Sequence, residues 1–414
     1  MEIDVDFAQA RYWNQEMPER MRWLRQNAPV FWSEATQAFI ISRFEDVIHV
    51  SKHNDLFCSG QGVMPGPENT KIGMIDEDEP RHGEMRGLIN RGFTPRMVRR
   101  WEEIFQRITD ETLDAVAPKG ECDFVEDIAV PLPLLLIAEM IGIRPEDRER
   151  FHQWSDAMIG ATGNMNDPEI TARAGKAALE YYTYLVDVIE DRRNNPKEDL
   201  ISILVRARQE GVLIQHESQR EVDLIGFEAS DEQRDMSNDE LIKMCVLLLV
   251  AGNETTRNGL SGGMQLLIEN PEARQRLIDD PSLIPQAIEE MLRLTSPVLS
   301  FARTATQDTE IRGVPIAAGQ KVLMIYGSAN RDESVFEDAD VFDIDRKPQH
   351  LAFGIGNHFC LGANLARMEL RVAFTELLKR IPDMSYTAGG PEFGSSALVR
   401  SVMHMHVRFT PETR

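Results

Sequence analysis

Cysteine is scarce in this chain, and the four cysteines that occur are far apart. None of them forms a C-x-x-C pair or a spacing that is typical of zinc ligands. The pattern therefore predicts neither an iron–sulfur cluster nor the disulfide framework of a small secreted domain. A glycine-rich nucleotide fingerprint is also lacking, so the sequence does not predict a flavin or nicotinamide module.

Long apolar runs and positive charges are scarce as well. The longest nearly apolar run, 128–143, contains two prolines and a glutamate, and it is too short to span a bilayer. The first six residues, Met1–Asp6, are acidic and lack the cationic and apolar regions of a signal peptide. We therefore expect a cytoplasmic protein without a membrane anchor. Lys and Arg number 45 against 68 Asp and Glu, and this net charge of −23 argues against nucleic acid as a partner.

One cysteine lies in an unusual setting. Residues 353–362 read Phe-Gly-Ile-Gly-Asn-His-Phe-Cys-Leu-Gly and precede a helical pattern. Gly354 permits a positive φ, Phe353 can pack beside the sulfur, and Gly362 lets a flat ligand lie close to the helix. Cys360 comes at the helix start, where free N–H groups and the helix dipole favour an anion and lower a thiol pKa. For a lone cysteine, however, a small buried apolar residue would be the better interpretation.

A second unusual segment interrupts an apolar helix. The sequence predicts a helix from Ser237 to about Asn270, roughly 50 Å long at about 1.5 Å per residue, which begins with an S-x-x-E capping box. Its middle, 251–256, reads Ala-Gly-Asn-Glu-Thr-Thr. Glycine there costs about 1 kcal/mol relative to alanine, and threonine hydroxyls can bend a helix by bonding a carbonyl one turn back. From the residues alone, the segment is either a tolerated polar notch or a functional interruption.

Two charged pairs have helical spacing. His82 and Arg86 follow an acidic run and Pro80, and they share one helix face. By themselves they are also typical of a solvated charged face. Glu290 and Arg293 lie three residues apart in a helix predicted for 283–296. As an exposed pair they would contribute little to stability.

Together these segments resemble the cytochrome P450 family of haem-thiolate monooxygenases. Residues 353–362 fill every position of the family's Phe-Gly-x-Gly-x-His-x-Cys-x-Gly haem loop, and 251–256 matches its oxygen-binding helix, Ala/Gly-Gly-x-Asp/Glu-Thr. The resemblance extends from Trp32 to Phe409. It implies a mainly α-helical fold with small β-sheets, in which the haem lies between the long central helix and the helix after the cysteine loop.

The resemblance also implies one haem domain over 1–414, with a β-rich part at about 29–60 and 300–330. Within it, Glu290 and Arg293 would form a buried scaffold and not a catalytic pair. The polar stretch 206–235 is predicted to be a surface excursion, longer than is usual in the family.

Roles for individual residues follow from the same resemblance. Cys360 would be the axial thiolate ligand of the haem iron. Glu254 and Thr255 would be the acid and alcohol that deliver protons while bulk water is kept out, and Ala251 and Gly252 would leave space for dioxygen. Without the resemblance, an ordinary exposed strand charge would be the better interpretation of Arg303. The other predicted haem contacts are His82, Arg86, Arg303, Phe353, Gly354, His358 and Gly362, of which four can donate to two haem propionates.

The substrate is predicted less directly. The motif residues 251–258 and 363–367 look most like those of enzymes that hydroxylate sterol side chains and methyl-branched lipids. We therefore expect a bulky apolar substrate such as a steroid or terpenoid. The residues expected to line its pocket are Met64, Val298, Leu299 and Leu398.

The resemblance finally implies the cofactors and partners. Haem b would insert one atom of O2 into a C–H bond with electrons from NAD(P)H, and a separate ferredoxin and ferredoxin reductase would carry them. A basic cluster is a candidate ferredoxin docking patch or simply a solvated face: Arg91, Arg96, Arg99, Arg100 and Arg371. A peroxide-driven oxygenase and a non-catalytic haem-thiolate binder or gas sensor are the alternatives. The Glu254–Thr255 pair argues against both, because neither needs it.

Overall fold

The structure is a computed structural model that describes residues 1–65, 73–160, 167–209, 238–387, 389–394 and 396–413. Most of the predicted surface excursion at 206–235 lies outside the described residues, and so does Ser237 of the predicted capping box.

Helices make up most of the described chain. The α-helices are α1 (Met17–Asn27), α2 (Phe44–Lys52), α3 (Arg81–Ile89), α4 (Pro95–Val116), α5 (Pro131–Ile141), α6 (Arg148–Gly160), α7 (Pro168–Asn194), α8 (Leu200–Gln209), α9 (Asn238–Glu269), α10 (Pro271–Asp279), α11 (Ile284–Thr295), α12 (Tyr326–Ala329) and α13 (Ala363–Arg380). Single turns of 3-10 helix occur at Ala10–Tyr12, Met74–Asp76, Asn90–Phe93, Ala117–Lys119, Pro145–Asp147 and Pro281–Leu283, and one π-helical turn at Val125–Ala129.

The strands are short. They are β1 (Val30–Ser33), β2 (Ala38–Ile41), β3 (Phe57–Cys58), β4 (Glu121–Asp123), β5 (Ser300–Ala305), β6 (Thr309–Ile311), β7 (Val314–Ile316), β8 (Lys321–Ile325), β9 (Ser385–Tyr386), β10 (Glu392–Phe393), β11 (Val402–His404) and β12 (His406–Arg408). They form a five-stranded sheet in the order β1-β2-β8-β5-β3, a three-stranded sheet β4-β12-β9, and the pairs β10-β11 and β6-β7.

The five-stranded sheet begins with the hairpin that the sequence predicts. Val30 pairs with Ile41 and Ser33 with Ala38, so that the polar turn lies between the two strands. β2 continues in parallel with β8, and β5 pairs antiparallel with both β8 and β3. This pairing sets Arg303 on β5 close to the chain that leaves β3.

The central helix α9 spans 32 residues and packs against α5, α11 and α13. Most of its apolar side chains are buried among these neighbours. Partly or fully exposed positions nevertheless recur every four residues at Leu247, Ala251 and Thr255. Residues four apart share a helix face, so these three residues define one accessible face of α9, called the open face below.

The pair Glu290 and Arg293 is fully buried, as the predicted scaffold role requires. The guanidinium donates to both carboxylate oxygens of Glu290 at 2.7 Å. It also donates to the carbonyl oxygens of Asn330 and Ala339 at 2.8 and 2.7 Å. Arg346 donates to the same carboxylate at 3.1 Å. Because every charge has a partner, the network fastens α11 to the irregular chain before the cysteine loop.

A membrane-crossing helix is not found in the described part of the chain, where no helix combines the necessary length and apolar character.

Candidate active site

The cysteine loop depends on two glycines with positive φ. Gly354 has φ +66° and Gly356 has φ +81°, a region that glycine enters without steric cost. A Cβ at Gly356 would lie 2.5 Å from the carbonyl oxygen of Ser51, at the end of α2. The loop closes where the N–H of Cys360 donates to the carbonyl oxygen of Phe353 at 2.9 Å. The loop is therefore held by backbone contacts that leave the cysteine side chain free to bind a ligand.

The electrostatic setting of Cys360 corrects one prediction. The burial of the site inside the protein raises the pKa of the thiol. The N–H of Gly362 and the charges of Arg86 and Arg367 act in the opposite direction, but they do not outweigh burial. The prediction that the helix start lowers this pKa was therefore wrong for the protein alone. Binding to a metal ion deprotonates a thiol directly, so the thiolate depends on the metal more than on the helix.

A platform beside the sulfur is built from three separate segments. Arg367 on α13 stacks over the ring of Phe353, with the guanidinium carbon 4.6 Å from the centroid. The same guanidinium binds both carboxylate oxygens of Glu289 at 2.7 and 2.8 Å, and His350 contacts this carboxylate at 3.2 Å. Burial opposes ionisation of Glu289, but Arg367 and His350 outweigh it and hold its pKa at about 2. Sequence reasoning missed this cluster, because its members are distant along the chain.

The four predicted propionate donors come together. The rings of His82 and His358 are 4.1 Å apart between centroids. His358 also contacts the hydroxyl of Ser59 at 3.1 Å. Its pKa falls to about 2, because burial disfavours the charged form and neighbouring cations repel it. Burial likewise lowers the pKa of Arg86 and of Arg303. The structure thus concentrates positive and donor groups in one buried place.

These donors fit a bound dianion. Arg303 is 5% exposed, and within the described ranges its guanidinium donates one hydrogen bond, to the carbonyl oxygen of Ala302 at 2.7 Å. Most of the five N–H donors of this guanidinium therefore have no acceptor among the described residues. A cavity of about 190 Å³ borders Cys360 and Arg86, but Arg303, His82 and His358 do not line it. A thiol ligand near two arginines and two histidines, of which Arg303 has donors without acceptors, fits haem b, which carries an iron and two propionates. The predicted haem contacts are consistent with this geometry, and their individual roles stay predictions.

The acid and the alcohol of the central helix have different surroundings. Thr255 is half-buried on the open face of α9, and its hydroxyl donates to the carbonyl oxygen of Ala251 at 2.7 Å. Glu254 is 2% exposed and forms an ion pair with Arg257. Its carboxylate also accepts from the amide of Asn258 at 3.1 Å. Burial raises its pKa, while Arg257 and Asn258 partly offset the rise.

Sequence reasoning missed these two partners of Glu254. Arg257 and Asn258 lie three and four residues after it, so helical spacing alone could have identified them. Both residues also contact the C-terminal segment: Arg257 donates to the hydroxyl of Ser401 at 3.2 Å, and Asn258 accepts from the N–H of Val402 at 2.9 Å. The acid is therefore tied to a second element of the fold.

Gly252 packs closely against a neighbouring helix. A Cβ at this position would lie 2.6 Å from the Cδ1 atom of Ile137 on α5. The missing side chain thus lets α5 approach α9 closely, and the role of Gly252 in leaving space for dioxygen stays a prediction. Ala251, which is exposed on the open face, is likewise a predicted position for oxygen space.

Three of the four predicted substrate residues lie together. The N–H of Leu299 donates to the carbonyl oxygen of Leu398 at 2.8 Å, and Val298 forms a β-bridge with Val399. Met64 follows Val63, whose carbonyl oxygen accepts from Ala302 at 2.7 Å. The four predicted residues are all half-buried, so each keeps some surface to offer a ligand.

Comparison with known proteins identifies the family. The family model described as cytochrome P450 matches residues 151–381. Steroid C26-monooxygenase of Mycobacterium tuberculosis (strain ATCC 25618 / H37Rv) is 38% identical over 415 residues, which cover 99% of this chain and 98% of the relative. Methyl-branched lipid omega-hydroxylase of Mycobacterium bovis is 36% identical, covering 88% of this chain and 84% of the relative. CYP109E1 from Bacillus megaterium, solved in complex with testosterone, has a TM-score of 0.81 at 33% identity, covering 94% and 98%.

The chain therefore belongs to the cytochrome P450 family. It is a cytochrome P450 monooxygenase, a class whose members bind haem b and use O2 with reducing equivalents from NAD(P)H. The predicted family, the mainly α-helical fold with small sheets and the enzyme class are confirmed.

Proposed function

We propose that the protein, with 1–414 as a single haem domain, inserts one oxygen atom into a C–H bond of a steroid or another bulky terpenoid. The observation that carries this proposal is the 38% identity to a steroid C26-monooxygenase over nearly the whole length of both chains. A neighbouring structure that contains testosterone adds support. The half-buried apolar residues Val298, Leu299 and Leu398 suit a ligand of that kind. The free energy gained on binding an apolar ligand grows with the apolar area that binding removes from water.

In this proposal the haem residues divide into two groups. Cys360 would bind the iron, and His82, Arg86, Arg303 and His358 would bind the propionates by charge-assisted hydrogen bonds. When bound, the haem supplies oxygen activation, which the electron density of a thiolate ligand favours. Arg367 and Glu289 keep Phe353 in place against the sulfur, so that the ligand geometry does not depend on a mobile loop. 

Proton delivery falls to the polar residues of α9. Burial raises the pKa of Glu254, which makes its carboxyl group easier to protonate than an exposed glutamate. Its Oε2 atom is buried and accepts no hydrogen bond from the described residues. Arg257 and Asn258 are positioning residues, since they hold the other oxygen. Thr255 then passes the proton on from the open face of the helix.

Electrons would come from a separate ferredoxin and its reductase. Of the predicted docking patch, Arg371 is paired with Glu102 at 2.9 Å, and Arg100 is paired with Glu198. Arg96 and Arg99 are exposed, and neither forms an ion pair with the described residues. These two arginines are therefore the part of the patch best placed to attract an acidic ferredoxin. Reversing both charges should slow reduction at low salt, and an unchanged salt dependence would remove the patch from the proposal.

A spectral titration tests the substrate. We expect cholest-4-en-3-one to shift the iron spin state and to yield an oxidised product with NADH, ferredoxin and reductase. Failure of both would contradict a steroid substrate. Parallel reactions driven by peroxide alone test the alternative of a peroxide-driven oxygenase, which predicts equal or faster turnover without the partners. A haem-thiolate binder or sensor would give a spin shift but no product in either reaction.

A further inference from the structure

Two histidines and an aspartate meet where the C-terminal strands pair with β4. His404 ends β11 and His406 begins β12, so one residue separates them. Asp123 ends β4 and is the register partner of His406. One ligand atom from each side chain lies within 4.8 Å of the other two. None of the three residues has a role in the monooxygenase site.

The carboxylate is fixed before any ion binds. Oδ1 of Asp123 accepts from the N–H groups of Val125 and Met405, both at 3.0 Å. Its Oδ2 faces Nδ1 of His404 at 2.6 Å. The rings of His404 and His406 are nearly parallel, at 8° with centroids 5.9 Å apart. Backbone hydrogen bonds and strand register therefore hold one ligand atom of each group within 4.8 Å of the others, which lowers the ordering cost of binding.

The surroundings favour a cation. The side chain of Asp123 is 11% exposed and that of His404 is 43% exposed, so the carboxylate is anchored while the imidazole can move. Glu392 is the register partner of His404 on β10, and its negative charge, like that of Glu126, acts on His404. Two ligands of one tetrahedral zinc ion lie about 3.3 Å apart, from bond lengths of about 2.0–2.1 Å. A small shift of the exposed His404 ring would open the present contact to that spacing.

We propose that Asp123, His404 and His406 bind a divalent transition-metal ion, with Zn²⁺ as the ion of choice and water completing the shell. Two imidazoles and one carboxylate are a common ligand set for Zn²⁺ and its neighbours in the first transition row. The bound ion would join β4 to β11 and β12. It would thus fasten the C-terminal strands to the helical part of the chain, independently of the reaction at the haem.

Calorimetric titration of the haem-loaded protein with ZnCl2, after treatment with a chelator, tests the site. We expect one equivalent of Zn²⁺ to bind, and at one hundred times its Kd to raise Tm by about 3 °C for a chain of this size. His406→Ala and Asp123→Asn should each weaken binding at least about tenfold, since each removes one of three ligands. His404→Ala/His406→Ala should abolish it. The absorption spectrum of the haem verifies that each variant is folded.

The matched control is the second histidine pair. His49 lies on α2 and His53 directly follows it, and their rings are 4.3 Å apart between centroids. That pair belongs to no three-ligand cluster of the described residues. His49→Ala/His53→Ala should therefore bind Zn²⁺ as the parent protein does. The proposal is overturned if the parent binds no Zn²⁺ at micromolar concentrations, or if binding survives in His404→Ala/His406→Ala. Loss of binding in the control pair alone would also overturn it.

Discussion

Replacing Arg257 by methionine keeps much of the side-chain length but removes the positive charge that pairs with buried Glu254. The carboxylate can then stay charged without a partner, which costs about 3–5 kcal/mol in a buried site. Alternatively it takes up a proton, which at about pH 7.5 costs about 4 kcal/mol for a glutamate of ordinary pKa near 4.3. Both outcomes predict a loss of at most about 4 kcal/mol, or about 4–5 °C in Tm for a chain of this length. The loss is smaller by whatever the raised pKa of Glu254 already costs the parent protein.

The loss should depend on pH in a definite direction. Burial raises the pKa of Glu254, and removing Arg257 raises it further. The folded state then binds more protons than the unfolded state above the ordinary glutamate pKa, so stability falls as pH rises. At about pH 5.5 the protonation cost is only about 1.6 kcal/mol. The deficit of Arg257→Met relative to the parent protein should therefore shrink by more than half.

Thermal unfolding of the haem-loaded proteins, followed by circular dichroism at both pH values, measures this effect. The double variant Glu254→Gln/Arg257→Met contains neither charge, so it should recover most of the lost Tm and respond little to pH. An equal loss in Arg257→Met at both pH values would refute the argument that a buried carboxylate is the cause. A double variant no more stable than the single variant would refute it equally.

Three further predictions concern the loop and the helix. Cys360→Ser should abolish the red-shifted carbon monoxide band of the reduced haem protein, whereas Cys58→Ser should retain it, since only the thiolate pushes electron density to the iron. Thr255→Ala should lower product formed per NADH by at least about tenfold and release peroxide, as expected for loss of a proton donor, while Thr255→Ser keeps the hydroxyl and most of the yield. Gly356→Ala should lower stability by at least about 2 kcal/mol, because left-handed φ alone costs about 1–2 kcal/mol and its Cβ would meet the Ser51 carbonyl at 2.5 Å. Gly319→Ala, with φ +84° and no neighbour within 4 Å, isolates the φ contribution and should lose less in the same melting experiment.

The sequence predicts the candidate site best where residue types are unusual for their local structure. Glycines at 354 and 356 beside a lone cysteine, and a glycine with an acid and two hydroxyls inside an apolar helix, are strong signals within one short segment. The packing of Ile137 against Gly252 is not visible in this way, because it depends on how closely two helices approach. The pKa of Cys360 was mispredicted for the same reason. Desolvation by the surrounding protein outweighs the local effect of the helix start, although Cys360 keeps an accessible surface.

The contacts of Arg257 and Asn258 link the acid on α9 to the C-terminal segment, two parts of the site that are far apart in the sequence. The C-terminal segment meets the predicted substrate residues at Leu398, through its hydrogen bond with Leu299. Three residues further on, Ser401 contacts Arg257, and the N–H of Val402 donates to Asn258. Both of these helix residues hold Glu254. In the proposed function, a ligand that displaces the chain at Leu398 would therefore act on the same short segment that positions the acid, and substrate binding and proton delivery would share one structural element.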